Sequence, residues 1–180
     1  ATPGDGQVRA LLICAGNPVL STPDGRALDQ ALQGLAFMVA IDIYINETTR
    51  HADLILPPAS PLTQDHYDSI FNAFAVRRVA RLNRALHGRG DQERADWEIV
   101  NGLGAAYAAS AGNEGRALPR PRDLIAMGLA RGDSGLDLAA LEAAPHGLDL
   151  GPLQPSLLAR LQTASGCIEC APPVLLAELE

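Results

Sequence analysis

The chain has no lysine and few aromatic side chains. All 14 of its basic residues are arginine, so no amine is present for Schiff-base chemistry, and any anion must be held by guanidinium or backbone N–H groups. The 21 acidic residues give a net charge of -7 over 180 residues, which opposes long-range attraction to nucleic acid or to an anionic lipid surface. Neither class of partner is expected.

Long apolar runs and a disulfide framework are also missing. The longest apolar stretches, around residues 35–45 and 103–111, are far shorter than the ~18–20 residues of a membrane-spanning helix. Three cysteines, an odd number, argue against a small secreted module held by disulfides. With 47% hydrophobic and 19% charged residues, the composition instead predicts a folded chain stabilised by packing.

Strand and helix patterns alternate in the first third of the chain. Residues 9–15 form an apolar run that predicts a strand buried on both faces, and residues 24–35 carry apolar positions at helical spacing. A second buried strand is predicted over residues 35–43 and a short third one over residues 52–56. A strand, a helix and a strand joined by short connections predict parallel pairing with a right-handed crossover.

The middle of the chain is less regular. Residues 47–52 predict one or two helical turns, with Asn46 as a candidate N-cap, and residues 96–111 predict a helix that Asp96 caps. Between them, the periodicity of residues 69–83 does not separate a helix from an extended hairpin.

The last third is rich in Gly, Pro and Ala. It predicts small helices over residues 122–131 and 136–144, a short strand over residues 166–170 and a final helical turn over residues 174–179. The fold predicted for the whole chain is therefore α/β. Residues 1–111 form a three-layer, parallel-sheet (Rossmann-like) domain, and residues 112–180 form a helical and irregular C-terminal extension.

A nucleotide site is predicted where the parallel strands end. Gly16, Asn17 and Pro18 follow the first strand and Asp42 ends the second, so these residues meet at one edge of the sheet. Backbone N–H groups at a glycine turn can approach a phosphate, and a carboxylate can accept from ribose hydroxyls or a guanine edge. Because no GxGxxG or GxxxxGK[ST] motif is present, a simple turn at Gly16–Pro18 stays open as the alternative.

Three other groups of residues have both a functional and an ordinary interpretation. His51, Asp53, Asp65 and His66 could form a mixed metal site, or could be solvated loop residues. Cys167 and Cys170 have the C-x-x-C spacing of redox-active pairs. They are not expected at the start of a helix, however, where the pKa of a thiol would be lowered.

Arginines at positions 77, 78, 81 and 84 could bind anions, although a solvated face or internal salt bridges is the more ordinary explanation for such a run.

Four separate blocks resemble one enzyme family. They are VRALLICAGNPVLS at residues 8–21, FMVAIDIY at residues 37–44, Glu47-Thr48 followed by ADLILP at residues 52–57, and ADWEI at residues 95–99. In order and spacing they are similar to the molybdopterin oxidoreductases of the dimethyl sulfoxide reductase type, which include formate dehydrogenases and nitrate reductases. Residues 153–179 are similar to the segment that precedes the C-terminal β-barrel in that family.

The resemblance implies two molybdopterin guanine dinucleotides around one molybdenum or tungsten. By position, Asn17 would meet the nucleotide at the first strand, Ile41 and Asp42 the ribose or guanine, Gln64 the cofactor, and Asp96 the guanosine end. The family often has Glu-Lys-x-Gly where residues 63–66 read TQDH, so a cation is missing from that loop.

The resemblance also implies that other parts of a longer enzyme carry the chemistry. The metal ligand, the catalytic groups and any iron–sulfur cysteines of the family lie outside the resembling blocks, so no catalytic or metal-ligating residue is assigned here. We expect a fragment of a bacterial-type oxidoreductase, inert alone, with the remaining domains and an electron-transfer subunit as partners. Cytoplasmic and periplasmic locations both stay open.

Two alternative functions remain at this point. One is a free-standing nucleotide-binding or interaction module without a redox role, and the other is a metal-dependent hydrolase built on His51, Asp53, Asp65 and His66.

Overall fold

A parallel sheet of three strands organises the N-terminal part of the computed structural model, which describes residues 3–179. The strands are β1 (Ala10–Cys14), β2 (Phe37–Ile41) and β3 (Leu54–Ile55), in the order β1-β2-β3. Leu12 pairs with Val39, which in turn pairs with Leu54. All three strands run in the same direction, so their carboxyl ends meet at one edge. The predicted α/β class is confirmed at this level.

Two helices connect β1 to β2: α1 (Pro18–Ser21) and α2 (Gly25–Gln33). The Asp24 side chain caps α2 by accepting from the Ala27 N–H at 3.1 Å. A Cβ atom at Gly25 would lie 1.9 Å from the Val19 carbonyl oxygen, so this close approach of the two helices requires glycine.

β1 is less buried than its apolar sequence predicts. Its residues alternate between exposed and half-buried, and Leu12 is 48% exposed, whereas four of the five residues of β2 are buried. The order of the sheet explains the difference, because β2 has a strand on each side and β1 is an edge strand. Burial on both faces was therefore the wrong prediction for β1 and the correct one for β2.

The predicted turn after β2 is a 3₁₀ segment, Thr49–His51. The N-cap residue of this segment is Thr48 and not Asn46, but the Asn46 side-chain oxygen accepts from the N–H groups of Thr48 and Thr49, both at 2.9 Å, and so supplies the capping side chain from two positions earlier.

The undecided stretch after residue 69 is mostly extended. A 3₁₀ segment, Phe71–Phe74, precedes β5 (Arg77–Ala80) and β6 (Leu82–Asn83). β6 pairs antiparallel with β4 (His66–Tyr67).

The long helix α3 spans Asp96–Ser110, so it begins at Asp96 itself and not at the residue after it. Ala95 occupies the N-cap position, and its N–H donates to the Glu98 carboxylate at 2.8 Å. Asp96 is therefore the first helical residue, and the prediction that it caps the helix is wrong. Its carboxylate is exposed at the positive end of the helix dipole.

The C-terminal part contains helices and one strand. The helices are α4 (Pro121–Arg131), α5 (Leu138–Glu142), α6 (Leu157–Arg160) and α7 (Pro173–Leu176). β7 (Leu148–Pro152), which sequence patterning does not predict, pairs antiparallel with β5. Part of this region is thus tied to the preceding one by a strand ladder.

The strand predicted over residues 166–170 is not formed. Gly166 has a φ of +65° and its N–H donates to the Thr163 carbonyl at 3.0 Å, while the Thr163 hydroxyl donates to the Cys167 carbonyl at 2.7 Å. These bonds close a turn, which replaces the extended backbone that a strand requires.

Buried apolar residues form a small core. One cluster joins Ala80, Leu82, Leu129 and Leu141, and the central strand β2 holds most of the rest. The accessible surface is 13629 Å². A compact monomer of 18.9 kDa exposes only about 8,300 Å², so the chain carries about 5,000 Å² more surface than its mass requires. No helix within residues 3–179 is long and apolar enough to cross a membrane.

Candidate functional site

A cavity of about 460 Å³ opens at the carboxyl ends of the parallel strands. Its walls come from the end of β1, the end of β2, the segment that follows β3, the loop before β4 and the first residue of α3. The lining residues are Cys14, Ala15, Ile41, Asp42, Ile43, Pro58, Ala59, Ser60, Pro61, Gln64 and Asp96. This cavity is called the crevice below.

Four of the predicted cofactor residues meet in the crevice: Ile41, Asp42, Gln64 and Asp96. They come from positions up to 55 residues apart in the sequence. The parallel sheet brings the first two together, while the loop before β4 and the start of α3 supply the others. The other three predicted residues, at positions 16–18, follow Ala15 along the chain and do not line the crevice.

Sequence reasoning missed the wall formed by Cys14, Ile43 and residues 58–61. The signal for the first two was available, since Ile43 directly follows Asp42 and Cys14 lies two positions before Gly16. The wall after β3 could be found only from the fold, where the Ala59 N–H donates to the Arg94 carbonyl at 2.8 Å, just before α3 begins.

Asp42 is held in one orientation by its own loop. One carboxylate oxygen accepts from the N–H groups of Ile43 and Tyr44, at 2.7 and 3.2 Å. The other accepts from the Asn46 side-chain amide at 3.2 Å. A carboxylate can accept about four hydrogen bonds, so Asp42 keeps acceptor capacity for a ligand while its position is fixed.

The turn after β1 has a backbone conformation that few residues adopt. Ala15 and Gly16 have φ values of +54° and +82°, both in the left-handed region. The Ala15 N–H donates to the Ile41 carbonyl at 2.9 Å, which extends the β1–β2 pairing by one residue before the chain turns away. A non-glycine residue with positive φ at the rim of a cavity marks strain that the surrounding structure maintains.

Asn17 is bound to the loop that follows β2. Its side-chain amide donates to the Glu47 carboxylate at 2.5 Å, and its side-chain oxygen accepts from the Thr48 hydroxyl at 2.7 Å. The bond from Asn17, together with a backbone N–H of the same loop, lowers the pKa of Glu47. Both polar groups of the Asn17 side chain are thus used within the protein, and they fix the turn beside the crevice.

The crevice carries two carboxylates, from Asp42 and Asp96, and the amide of Gln64, but no arginine lines it. A phosphate would meet no positive charge there. A ligand that donates hydrogen bonds, such as a guanine edge or a ribose hydroxyl, meets acceptors instead. The arrangement therefore favours the nucleoside end of a nucleotide over its phosphates.

Comparison with known proteins identifies the family of the chain. The family model for molybdopterin oxidoreductases matches residues 1–106, which include every residue of the crevice. The chain belongs to the molybdopterin oxidoreductase family.

Two relatives are about one-third identical to this family member over roughly 100 aligned residues. It is 32% identical over 102 residues to the assimilatory nitrate reductase catalytic subunit of Bacillus subtilis, and 34% identical over 97 residues to the F420-dependent formate dehydrogenase 1 subunit alpha of Methanococcus maripaludis. These matches cover 57% and 54% of the chain, but only 14% of each relative. The family implies a molybdenum or tungsten pterin cofactor.

The mixed metal site considered from the sequence is not formed. Within residues 3–179, no three His, Cys, Asp or Glu side chains form a group that could hold a metal ion. The His51 ring nitrogen Nε2 and Arg50 Nη2 each lie 2.6 Å from the same Asp29 oxygen, and Asp65 lies 3.6 Å from Arg84. The hydrogen bonds from Arg50 and His51 lower the pKa of Asp29. Two of the four predicted ligands, His51 and Asp65, are thus engaged in separate contacts.

The arginine-rich stretch is used partly for salt bridges within this family member. Arg77 pairs with Asp149 of β7 at 2.8 Å, and Arg84 pairs with Glu142 of α5 at 2.7 Å. The salt-bridge interpretation is therefore confirmed for these two arginines. Cys167 and Cys170 are free and exposed, in the turn described above.

Proposed function

We propose that this chain supplies one side of the site that holds the guanine dinucleotide of a molybdenum or tungsten pterin cofactor, within a longer oxidoreductase. The observation that carries the proposal is the meeting of Asp42, Gln64 and Asp96 in one crevice at the carboxyl ends of a parallel sheet.

The chemistry of the crevice suits the guanosine end of such a cofactor. Guanine presents an N–H and an exocyclic amine on one edge, and a carboxylate accepts from both with charge-assisted hydrogen bonds. Asp42, held by its loop, is the acceptor proposed for this edge or for the ribose hydroxyls, with Ile41 as an apolar neighbour. Asp96 would accept from the far end of the nucleoside, and Gln64 can donate or accept through its amide.

The phosphates would leave the crevice toward the turn at Gly16, Asn17 and Pro18. Gly16 has no side chain to obstruct the backbone, and a Cβ placed there meets nothing within 4 Å. Because the Asn17 side chain is occupied by Glu47 and Thr48, its contribution there would be to hold the turn rather than to bind the cofactor through its amide.

The large exposed surface supports a role beside other domains. An obligate interface buries about 1,000–2,500 Å² on each partner, so an excess of about 5,000 Å² is more than enough for one side of such an interface. Exposed aliphatic and aromatic side chains, including Ile43 and Tyr44 at 64% and 72% exposure, lie directly after the crevice residue Asp42. A second domain packed on this surface would enclose a ligand that the crevice alone leaves open to solvent.

When bound, the metal of the cofactor supplies the two-electron redox chemistry, and the residues of this chain bind and orient the nucleotide that anchors it. The relatives are named for nitrate reduction and formate oxidation, and we propose the same broad class, oxidoreduction of a small substrate. We further propose that the sheet and its helices form a Rossmann-like, three-layer unit. An iron–sulfur cluster and an electron-transfer partner would belong to the rest of the enzyme.

Cys14 offers a direct test, because its exposed thiol lines the crevice and the other two cysteines do not. The rate of alkylation by N-ethylmaleimide is measured at each cysteine by mass spectrometry of peptides, with and without GDP. We expect GDP to slow the reaction at Cys14 and to leave Cys167 and Cys170 unchanged, which makes those two thiols internal controls.

Base selectivity and two variants sharpen the test. ADP carries the same ribose and diphosphate but lacks the guanine donor edge, so it should protect Cys14 less than GDP does. Asp42→Asn and Asp96→Asn should each reduce protection by GDP, whereas Asp133→Asn, an exposed aspartate outside the crevice, should not. Equal protection by ADP and GDP, or full protection in the Asp42 variant, would contradict the proposed guanine contact.

A further inference from the structure

A second polar surface lies on the antiparallel strand pair formed by β4 and β6. His66 pairs with Asn83 and Tyr67 pairs with Leu82 in the antiparallel ladder. Side chains of directly paired residues share one face of a sheet, and residues two positions apart along a strand share that face too. His66 and Asn83 are therefore neighbours, and the same alternation places Gln64 and Arg81 beside them.

The opposite face of this strand pair has a different role. Leu82 is 4% exposed and belongs to the core with Leu129 and Leu141. Asp65 accepts from the Ala85 N–H at 3.0 Å and pairs with arginines. Asp65 therefore contacts the chain that follows β6, at Arg84 and Ala85, and lies beside Arg122 of α4.

The His66 face forms one wall of a groove of about 630 Å³. The other walls include Pro61 and Leu62, and the N–H groups of Leu86 and His87 donate to the Leu62 carbonyl at 2.9 and 3.3 Å. These bonds join the loop before β4 to the chain after β6, so the groove has a defined wall at that side. Gln64 and Pro61 also line the crevice, which places the two cavities next to each other.

The groove is rich in hydrogen-bond donors, and none of the described residues that line it is acidic. Its polar side chains are two amides, one imidazole and two guanidinium groups: Gln64, His66, Arg81, Asn83 and Arg84. Arg84 is neutralised by Glu142 at 2.7 Å. Among residues 3–179, by contrast, no carboxylate lies within ion-pair distance of Arg81. The crevice, in comparison, is lined by two carboxylates, those of Asp42 and Asp96.

The stem of Arg81 is also supported. A Cβ atom built at Gly147, just before β7, would lie 3.1 Å from Arg81 Cβ and 3.4 Å from its Cγ. The side chain therefore rests on the Gly147 backbone, which restricts the directions in which the guanidinium can extend.

We propose that this groove binds a small oxyanion, a phosphate or carboxylate group, through Arg81, His66 and Asn83. The site is distinct from the crevice, whose carboxylates suit a donor ligand, and the two share only the wall formed by Gln64 and Pro61. Arg81 supplies charge and a planar pair of donors, Asn83 supplies an amide donor, and the imidazole of His66 can donate from either ring nitrogen.

The experiment is an NMR titration of the ¹⁵N-labelled chain with inorganic phosphate, and separately with acetate, at constant ionic strength set with chloride. We expect saturable shifts for the amides of residues 81–83 and 66–67. Arg81→Gln should weaken the binding by about tenfold, since a charge-assisted bidentate contact is lost. His66→Phe should weaken it by a smaller factor. Preference between phosphate and acetate identifies which oxyanion the groove accepts.

Arg78→Gln is the matched control, because Arg78 is equally exposed on the same segment but does not line the groove. An equal loss in the Arg78 and Arg81 variants would show nonspecific charge screening and would overturn the proposal. Shifts that do not saturate, or that saturate equally with chloride alone, would overturn it as well. Displacement of phosphate by GDP but not by an equal concentration of ADP would show that the groove is part of the guanine nucleotide site and not a separate one, since the diphosphate of either nucleotide could compete as an oxyanion. The binding is measured without nucleotide, so its failure leaves the guanine proposal untouched.

Discussion

The hydroxyl of Thr48 donates to the side-chain oxygen of Asn17 at 2.7 Å, across 31 positions of sequence. The same hydroxyl oxygen accepts from the Val19 N–H at 3.0 Å. Thr48 is fully buried, so these two bonds replace contacts with water that its hydroxyl has in the unfolded chain. One side chain thus joins the turn after β1 and the start of α1 to the loop after β2, beside the crevice.

Thr48→Val should destabilise the chain. Valine keeps the shape of threonine but leaves the Val19 N–H and the Asn17 oxygen without this partner, and an unsatisfied buried group costs about 1–3 kcal/mol. The free energy of unfolding measured by urea denaturation should fall by that amount. Thr22→Val is the control, because the Thr22 hydroxyl makes an exposed bond to the Pro18 carbonyl. Equal stability of the two variants would show that the buried contacts carry no net free energy.

Stability should depend on pH through Asp29. Hydrogen bonds from Arg50 and then from His51 lower the pKa of this carboxyl in the folded state. A lowered folded-state pKa means that the contribution is fully present above the unfolded pKa, about 3.9, and is lost as the pH falls through the folded value.

The Asp29→Asn variant should therefore be less stable than the parent chain at pH 7, and the difference should shrink below about pH 4. Unfolding free energies measured from pH 7 to pH 3 check this. The exposed Asp133→Asn variant should follow the parent at each pH. A difference that stays constant across this range would indicate that Asp29 acts by packing and not by charge.

The small core makes Leu141 a sensitive position. This side chain is 1% exposed and packs with Ala80, Leu82 and Leu129. Leu141→Ala should cost about 2–5 kcal/mol from lost burial and from the cavity left behind. Leu158→Ala, at a position that is 82% exposed, should change stability by no more than about 0.5 kcal/mol. Thermal and urea unfolding of the two variants distinguish them, and similar midpoints would mean that this cluster does not determine stability.

Arg122 should hold α4 against Asp65, the residue that precedes β4. It pairs with Asp65 at 3.4 Å and with Glu142, and the hydrogen bond from Arg122 lowers the pKa of Glu142. Asp65 in turn accepts from the Ala85 N–H at 3.0 Å. Arg122→Gln should therefore speed hydrogen exchange at the Ala85 amide, and high salt should do the same in the parent chain because exposed ion pairs are screened.

Arg120→Gln provides the comparison for that measurement. Arg120 lies two positions before Arg122, and among the described residues it pairs locally, with Asp123 of α4 at 2.9 Å. Its removal should leave exchange at Ala85 unchanged. If both variants speed exchange equally, loss of helix α4 and not loss of the Asp65 contact is responsible.

Local patterns were sufficient for the elements that position the crevice. The apolar run of β2, the helical spacing of α2 and the capping side chain of Asn46 depend on residues close together in sequence, and their existence was predicted correctly. The position of Asp42 at the end of an apolar strand also predicted that it lies at the carboxyl edge of the sheet, where ligands are expected to bind. The identities of these residues carry that information because backbone preferences and side-chain periodicity are short-range properties.

Nonlocal contacts were beyond the reach of these patterns. β7 was missed because it is stabilised by pairing with β5, about 70 residues earlier, and a strand of mixed exposure has no clear alternation of its own. The exposure of β1 depends on its place at the edge of the sheet. A turn, and not the predicted strand, forms at Gly166. The hydrogen bonds of the Gly166 N–H and the Thr163 hydroxyl stabilise the turn more than the weak strand propensity of this segment stabilises extended backbone.

The sequence by itself determined the α/β class, the parallel unit and the family, since these follow from local periodicity and from residues at fixed spacing. The tertiary structure alone decided that Gln64 and Asp96 join Asp42 in one crevice, and that His66 and Arg81 share a groove without acidic residues. Such meetings depend on strand order and loop closure, which are set by the free energy of the whole packed chain and not by any single segment.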